Sequence, residues 1–370
     1  MSTVSRRMYF EKHVGQFPEE FEFLGQSYEK AEDLRYGSNP HQTAAVYRPR
    51  GRRLVLGAYR LLKSGKEGLS ETNLEDMDRA LRIVKYSQAP AAAVMKHLNP
   101  SGAAEAVGPE SLRDVYRRAR DCDAQAAFCA TIGFNCPVDA ETAEEIMATV
   151  IECVVAPGYS EAALRILGSG EARKRNRELR VVAVDGLGGL PRYIGDEVAG
   201  PEVRTLDDGS LVLSTPLLTH VRGPEDLLPA EAVHPTRGQI RIERAPTDRE
   251  CQDLLFAWHV ALNVRSNAMV LVKHRGTLAV GTGEQDRIGA LEQAVEKYRG
   301  KYHGCAQLDG AVLASDGYFP FRDCVEAAAG AGITAIVQPG GGRQDYEVIA
   351  ACNEAGLALV FTGERGFSHH

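Results

Sequence analysis

The sequence predicts an α/β protein with two or more domains. Its 370 residues are 44% hydrophobic and 25% charged, which is typical of a globular chain long enough for more than one core. Apolar residues at helical spacing alternate with short apolar runs in both halves of the chain. A looser region, rich in glycine, proline and charge, lies between the halves.

The N-terminal half is predicted to hold an arm over residues 1–33 and a domain over residues 34–190. The polar and aromatic start of the chain has no clear period, so it forms a strand or an arm. The elements predicted after it are a helix over 73–86, a strand over 91–95, a loop over 96–102, a helix over 111–123, a strand over 126–134, a helix over 140–152 and a strand over 181–184.

The C-terminal half is predicted to hold a connecting segment over residues 191–245 and a second domain over residues 246–370. Its predicted strands are 211–214, 268–272, 277–280, 311–314, 335–338 and 358–361, and its predicted helices are 248–263, 286–298, 321–331 and 345–355. Val272-Lys273-His274 echoes Val94-Met95-Lys96-His97, a hint of internal duplication.

Composition argues against several function classes. The formal net charge of -7 disfavours a broad nucleic-acid surface but allows a local basic pocket for one phosphate. No apolar run reaches signal-peptide or membrane-spanning length, so we expect a cytoplasmic protein without a membrane partner. The eight cysteines never form Cys-x-x-Cys, so neither a disulfide framework nor a zinc site is expected.

Four segments at predicted strand ends carry side chains suited to chemistry, because ligands of α/β units usually bind at such ends. They are residues 34–42, 96–102, 265–268 and 315–323. With the ending over 365–370, these segments resemble the transformylase half of the bifunctional enzyme that completes inosinate (IMP) synthesis. The resemblance runs from about Leu34 to the C-terminus.

The resemblance implies a fold and a reaction. The fold is two tandem cytidine-deaminase-like α/β/α subdomains, assembled as a homodimer with shared active sites. The reaction moves a formyl group from 10-formyltetrahydrofolate to the 5-amino group of 5-aminoimidazole-4-carboxamide ribonucleotide (AICAR), giving FAICAR and tetrahydrofolate. The ring-closing IMP cyclohydrolase of the family is not expected here. A monovalent cation stays open as a further cofactor.

Three residues are expected to be catalytic. The conjugated amine of AICAR is a poor nucleophile and must lose its proton as it attacks, and the resemblance places His97 beside it as the base. Lys96 and Asn267 match the family residues that stabilise the oxyanion and serve the leaving nitrogen. Without the matched motifs, a structural hydrogen bond would explain His97 and a turn or cap would explain Asn267.

The remaining matched residues are expected to bind the two substrates. Arginine offers a planar fork of donors to a phosphate. The nucleotide-side residues are Arg35, Tyr36, Asn73, Arg365, Phe128 and Glu152. The folate-side residues, which would sandwich and hydrogen-bond the pterin, are Phe319, Pro320, Phe321 and Asp323.

Two departures and two alternatives remain open. The family usually has glycine where this chain has Cys129, which alters the lip of the pocket, and His370 is an additional final residue. The first alternative is a non-catalytic AICAR-binding sensor, which would have no use for the three catalytic residues. The second is an enzyme of the same fold with another formyl donor, which the retained segment over 319–323 disfavours.

Overall fold

Two folding units make up the part of the chain that the structure describes. The structure, a computed structural model, covers residues 11–65, 67–169, 176–301 and 308–369, and it divides into Met1–Leu190 and Pro191–His370. Residues 1–10 of the predicted arm, Cys305 and His370 lie outside the described residues. Each unit combines a mixed sheet with α-helices, so the predicted α/β class is confirmed.

A small antiparallel sheet precedes the first α-helix. Its strands are β1 (Glu20–Phe23), β2 (Gln26–Asp33) and β3 (Ala45–Pro49), in that order. Phe21 of β1 stacks on Tyr28 of β2 with the ring centroids 5.2 Å apart. Cross-strand aromatic pairs stabilise such sheets, which accounts for the aromatic residues of this region.

The first unit then alternates strands and helices. Its elements are β4 (Arg60–Lys63), α1 (Glu71–Val84), β5 (Ala91–Lys96), β6 (Asn99–Glu105), α2 (Leu112–Asp121), β7 (Ala130–Phe134), α3 (Ala140–Ala148), β8 (Ile151–Ala156), α4 (Glu161–Gly168) and β9 (Arg180–Ala183). The strand order is β6-β5-β7-β8-β9-β4. β7, β8 and β9 are parallel, and the other pairs are antiparallel.

Helices cover both faces of this sheet. Ala92 and Val94 of β5 pack in one core with α2, α3 and α4. Because side chains of a strand alternate between faces, the intervening residues point to the other side, where α1 contacts β5. Burial on both faces explains why β5 is a continuous apolar run.

Polar caps begin the α-helices α1, α2, α3 and α4. Ser70, Ser111, Asp139 and Ser160 each accept a hydrogen bond from the backbone N–H three residues further on. Such a cap satisfies an N–H that the helix itself leaves unpaired and stabilises the helix by about 1 kcal/mol. The caps explain why these helices begin where they do.

The second unit repeats this order of elements. Two hairpins flank its first edge strand, and the elements are β10 (Glu202–Thr205), β11 (Leu211–Ser214), β12 (Leu228–Pro229), β13 (Glu231–His234), β14 (Gly238–Arg241), α5 (Asp248–Ala261), β15 (Met269–Lys273), β16 (Gly276–Gly281), α6 (Arg287–Lys301), β17 (Ala311–Ser315), α7 (Asp323–Gly330), β18 (Ile333–Gln338), α8 (Asp345–Ala355) and β19 (Ala358–Phe361).

The strands of this unit lie in the order β16-β15-β17-β18-β19-β12, which matches the first unit strand for strand, including the antiparallel outer strand. Helices α6, α7 and α8 share one core, and α5 contacts β15 without belonging to that core. The similarity between the segments around Lys96 and Lys273 therefore extends to the strand order of the whole units, as internal duplication predicts.

Four of the differences between predicted and observed element boundaries affect residues or segments singled out in the sequence. Residues 99–102 belong to β6 and not to a loop, because Asn99 pairs with Lys96 across a two-residue turn. Glu152 lies in β8 and not in a helix, because α3 ends at Ala148. The predicted strand over 126–134 begins at Ala130, and the predicted helix over 321–331 begins at Asp323. No helix in the described ranges is both long and apolar enough to span a membrane.

Candidate active site

The turn between β5 and β6 presents His97. His97 and Leu98 both have positive φ, 52° and 65°, as in a type I′ hairpin turn, which favours Asn-Gly. Residues with a Cβ adopt this conformation at a cost of about 1–2 kcal/mol each. The same conformation occurs at His274 and Arg275 in the second unit, with φ of 52° and 50°, so it is a property of the turn in both units.

Lys96 is held by the loop that precedes β7. Its Nζ donates to the backbone oxygens of Phe128 and Cys129 at 2.6 and 3.1 Å. The Phe128 ring beside it is 59% exposed. The structure therefore brings together three of the predicted residues of the first unit: Lys96, His97 and Phe128.

Asp76 of α1 is a residue that sequence reasoning missed. Its Oδ1 accepts a hydrogen bond of 2.8 Å from the backbone N–H of Leu98 and so anchors the turn. Burial raises the pKa of this carboxyl, while the Leu98 hydrogen bond and the charges of His97 and Lys96 lower it. An aspartate beside Met77 on the buried face of an amphipathic helix was the available signal.

Two buried arginines form a second cluster in the first unit. Arg35 is 1% exposed, and its Nη2 donates to the Tyr36 hydroxyl at 2.9 Å. Burial lowers the pKa of Arg35, and the charge of Arg180 lowers it further. Arg180, which sequence reasoning also missed, is 0% exposed. A charged residue opening an otherwise apolar strand was the signal for it.

Arg180 ties Glu152 to the segment before α1. Its Nη1 donates to Glu152 Oε1 at 2.5 Å and its Nε donates to the Gly68 oxygen at 3.1 Å. The negative charge of Glu152 also raises the pKa of Asp76. The arginine cluster and the turn that carries His97 therefore belong to one electrostatic neighbourhood of the first unit.

Asn73 has a structural role at the start of α1. Its Oδ1 accepts from the Ser70 backbone N–H at 3.1 Å, and its own N–H donates to Ser70 Oγ at 3.3 Å. This reciprocal pair is a capping box at the start of α1. The predicted nucleotide contact of Asn73 stays a prediction.

Cys129 occupies a backbone conformation that favours glycine. Its φ is 57°, and Gly310, which holds the matching position before β17, has φ 74°. The structure thus gives a physical reason for the glycine expected here, because a residue without Cβ adopts positive φ freely.

In the second unit, Asn267 lies against the C-terminal segment. Its Nδ2 donates to the Glu284 backbone oxygen at 2.9 Å. The neighbouring Ser266 N–H donates to the Ser368 oxygen at 3.0 Å, and Gly366 N–H donates to the Asp316 oxygen at 2.9 Å. Three of the segments singled out in the sequence, those at 265–268, 315–317 and 365–368, therefore meet.

Arg365 is oriented by its neighbours along the chain. Its guanidinium carbon lies 4.2 Å from the centroid of the Phe367 ring. The preceding residue, Glu364, accepts hydrogen bonds from the Thr219 hydroxyl and the His220 backbone N–H. Trp258 Nε1 donates to the same Thr219 hydroxyl at 3.1 Å. Glu364 was also missed, because its partners are distant in sequence.

The predicted folate-side residues separate into a buried and an exposed set. Phe319 is 0% exposed and belongs to the core of the second unit, and its N–H donates to Gln338 Oε1 at 2.6 Å. Pro320 and Phe321 are exposed, and Asp323 is partly buried at the start of α7. Of the two predicted aromatic rings, that of Phe321 is exposed and that of Phe319 is buried.

Seven of the eight cysteines lie among the described residues. Within the described ranges, no group of three His, Cys, Asp or Glu side chains could hold a metal ion. The seven cysteines that the structure describes are free thiols. Burial raises the pKa of Cys153, Cys324 and Cys352 to about 12, so these three are not thiolate nucleophiles.

Known proteins similar to this chain agree with the motifs. A family model described as AICARFT/IMPCHase bienzyme matches residues 3–297. The bifunctional purine biosynthesis protein PurH of Oceanobacillus iheyensis is 38% identical over 355 residues, covering 96% of this chain and 62% of that relative. The PurH proteins of Magnetococcus marinus and Roseobacter denitrificans are 40% and 41% identical, covering 97% and 92% of this chain and 63% and 60% of those relatives.

The chain thus spans about three fifths of the length of these curated relatives. The family model, in contrast, covers most of the chain and includes the turn at His97, the arginine cluster and Asn267. From this match, the chain belongs to the AICARFT/IMPCHase bienzyme family.

Proposed function

We propose that the chain transfers the formyl group of 10-formyltetrahydrofolate to the 5-amino group of AICAR, as part of purine biosynthesis. The observation that carries the proposal is that Lys96 and His97, which lie in a motif resembling the transformylase half, stand together at the turn between β5 and β6 in a chain of this family. The activity proposed for the two units is the formyl transfer and not the ring closure, because the quoted motifs resemble the transformylase half.

In the proposed reaction, the amine nitrogen of AICAR forms a bond to the formyl carbon and passes its proton to His97. The side-chain amide of Asn267 stabilises the oxyanion of the tetrahedral intermediate. The bond from the formyl carbon to N10 of the folate then breaks as N10 takes a proton from Lys96. FAICAR and tetrahydrofolate leave.

The fixed position of Lys96 supports this role. Two backbone carbonyls hold its ammonium group, so little reorganisation is needed when charge develops beside it. His97 stands one residue away on a turn that Asp76 anchors. General base catalysis by a histidine placed in this way contributes about 10²- to 10⁴-fold to a rate.

For substrate binding we propose that Arg35 and Arg365 hold the nucleotide phosphate, with Tyr36, Asn73, Phe128 and Glu152 near the nucleotide. Pro320, Phe321 and Asp323 are proposed on the folate side, and the buried Phe319 is proposed to support them from the core. We further propose a homodimer with shared active sites, and we leave a monovalent cation as an additive to be varied in the assay.

The test is an absorbance assay of purified protein with AICAR and 10-formyltetrahydrofolate that follows tetrahydrofolate release. Lys96→Ala and His97→Ala should each nearly abolish turnover while AICAR binding stays measurable by calorimetry. Lys273→Ala is the matched control, because Lys273 ends β15 and donates to the Asp309 backbone oxygen at 2.6 Å in the repeated geometry. It should keep turnover.

Each other outcome points to a different function. AICAR binding without turnover would favour the sensor, and turnover with a different donor would favour a same-fold enzyme of another specificity. Chromatography of the products detects IMP and so measures ring closure separately. Equal loss in the Lys96 and Lys273 variants would show that the Lys96 effect is structural.

A further inference from the structure

Comparison of the two similar units shows which features of the turn that carries His97 are shared and which are particular to it. In each unit an aspartate of the helix before a hairpin, Asp76 of α1 or Asp253 of α5, accepts from the backbone of the hairpin turn, β5–β6 or β15–β16. In each unit that turn has two positive φ values, 52° and 65° in the first and 52° and 50° in the second. An aspartate anchoring such a turn is therefore part of the common scaffold.

The charge of the aspartate is handled differently in the two units. Asp253 Oδ2 accepts from Arg249 Nη1 at 2.8 Å, one helical turn earlier on α5. The corresponding position on α1 is Thr72, which carries no charge. The charges of Lys96 and His97 act on Asp76. The turn needs only a hydrogen-bond acceptor, which a neutral side chain could supply. The negative charge of Asp76 therefore calls for a further explanation.

We propose that Asp76 is a positioning residue for the formyl transfer. Its carboxylate fixes the turn and supplies the negative charge that stabilises the imidazolium formed when His97 takes the amine proton. This inference rests on the proposed function. The proton stays on His97, and Asp76 takes none.

The buried setting of Asp76 agrees with a functional reason for its charge. Burial raises the pKa of the carboxyl, so above its titration range the ionised group costs folding free energy. Besides Lys96 and His97, the groups that interact with Asp76 include Glu152 and Cys153 of β8 and Glu75 of α1. A neutral acceptor of the same shape would fold at least as well.

The experiment compares Asp76→Asn with Asp253→Asn in the full chain. Asparagine keeps the Oδ1 acceptor for Leu98 N–H and removes only the charge at Asp76. We expect Asp76→Asn to lower kcat by about tenfold or more, because a nearby charge no longer stabilises the imidazolium. The KM for AICAR should stay within about twofold, because the nucleotide contacts are unchanged, and Tm should equal or exceed that of the unmodified chain.

Asp253→Asn is expected to do the reverse. Asp253 accepts on both oxygens, from His274, Arg275 and Arg249, so an amide leaves one of these partners unsatisfied and lowers Tm. Because this residue lies at the turn of the second unit, kcat should stay at its original value. Stability and activity then change separately at two matched positions.

Two results would overturn the proposal. One is an original kcat in Asp76→Asn, and the other is a joint fall of kcat and Tm at Asp76, which would assign it a scaffold role only. Absence of turnover in the unmodified chain refutes the proposed function and this inference together, and it is recognised before any substitution is compared.

Discussion

We expect Arg180→Met to lower the free energy of unfolding by about 3 kcal/mol, because breaking a buried ion pair from one side costs about 3–5 kcal/mol. Arg180 is completely buried, while the Glu152 side chain is 21% exposed. Residual water at Glu152 places the loss at the lower end of that range. Methionine keeps most of the apolar volume of the arginine stem.

Two smaller contributions act in opposite directions. The Gly68 oxygen loses its donor, which costs about 1 kcal/mol, while Arg35 is relieved of a neighbouring positive charge that lowers its pKa. These contributions largely offset each other. The double variant Arg180→Met/Glu152→Gln should recover about 1 kcal/mol or more relative to the sum of the single variants, because both charges are then removed.

Urea unfolding followed by circular dichroism measures these differences. Arg177→Met is the matched control, because Arg177 lies in the same unit but is 79% exposed and its nearest carboxylate is 3.7 Å away. Exposed pairs of this kind contribute about 0–1 kcal/mol. A loss below about 1 kcal/mol for Arg180→Met, or additive single variants, would refute the argument that this pair organises the arginine cluster.

Three further predictions concern the second unit. Burial raises the pKa of Glu250, but hydrogen bonds from Thr247, Thr334 and Arg244 outweigh it and lower the pKa from 4.5 to about 2. The unmodified chain should therefore be more stable than Glu250→Gln above pH 4.5, and this difference should vanish toward about pH 2. Urea midpoints measured across this pH range check the prediction. Gly310→Ala should lower the free energy of unfolding by about 1 kcal/mol, because alanine adopts positive φ at a cost. The added Cβ would lie 3.7 Å from its nearest neighbour, so no clash contributes. An unchanged urea midpoint would contradict this. Glu364→Gln should raise the KM for AICAR about fivefold with a smaller change in kcat, because Arg365 is less well oriented. An unchanged KM would show that Glu364 does not orient Arg365 for binding.

Much of the secondary structure could be predicted from local patterns. Residues 345–355, 358–361 and 211–214 have the predicted bounds in the structure. Glycine or polar residues lie within two positions of every end of these elements, so their ends depend on neighbours in sequence. The predictions failed at residues 99–102 and at Glu152, where strand pairing decides the local conformation.

The candidate site could be predicted only where a motif carried it. Lys96, His97 and Asn267 were found because they lie in short continuous segments. Asp76, Arg180 and Glu364 were missed because each acts on a group far away in sequence. An isolated aspartate or arginine in a helix or strand is usually a solvated surface residue, so the pattern alone favoured that interpretation.

The sequence by itself determined the α/β class, the alternation of elements and the motifs that mark the family. These depend on apolar periodicity, caps and short continuous segments, all of which are local. Only the tertiary structure decided that Phe319 is a core residue, that Arg35 and Arg180 are buried together, and that Asp76 anchors the turn of His97. The physical reason is that burial and pairing depend on which strands and helices become neighbours, and that choice is made by the packing of each unit as a whole.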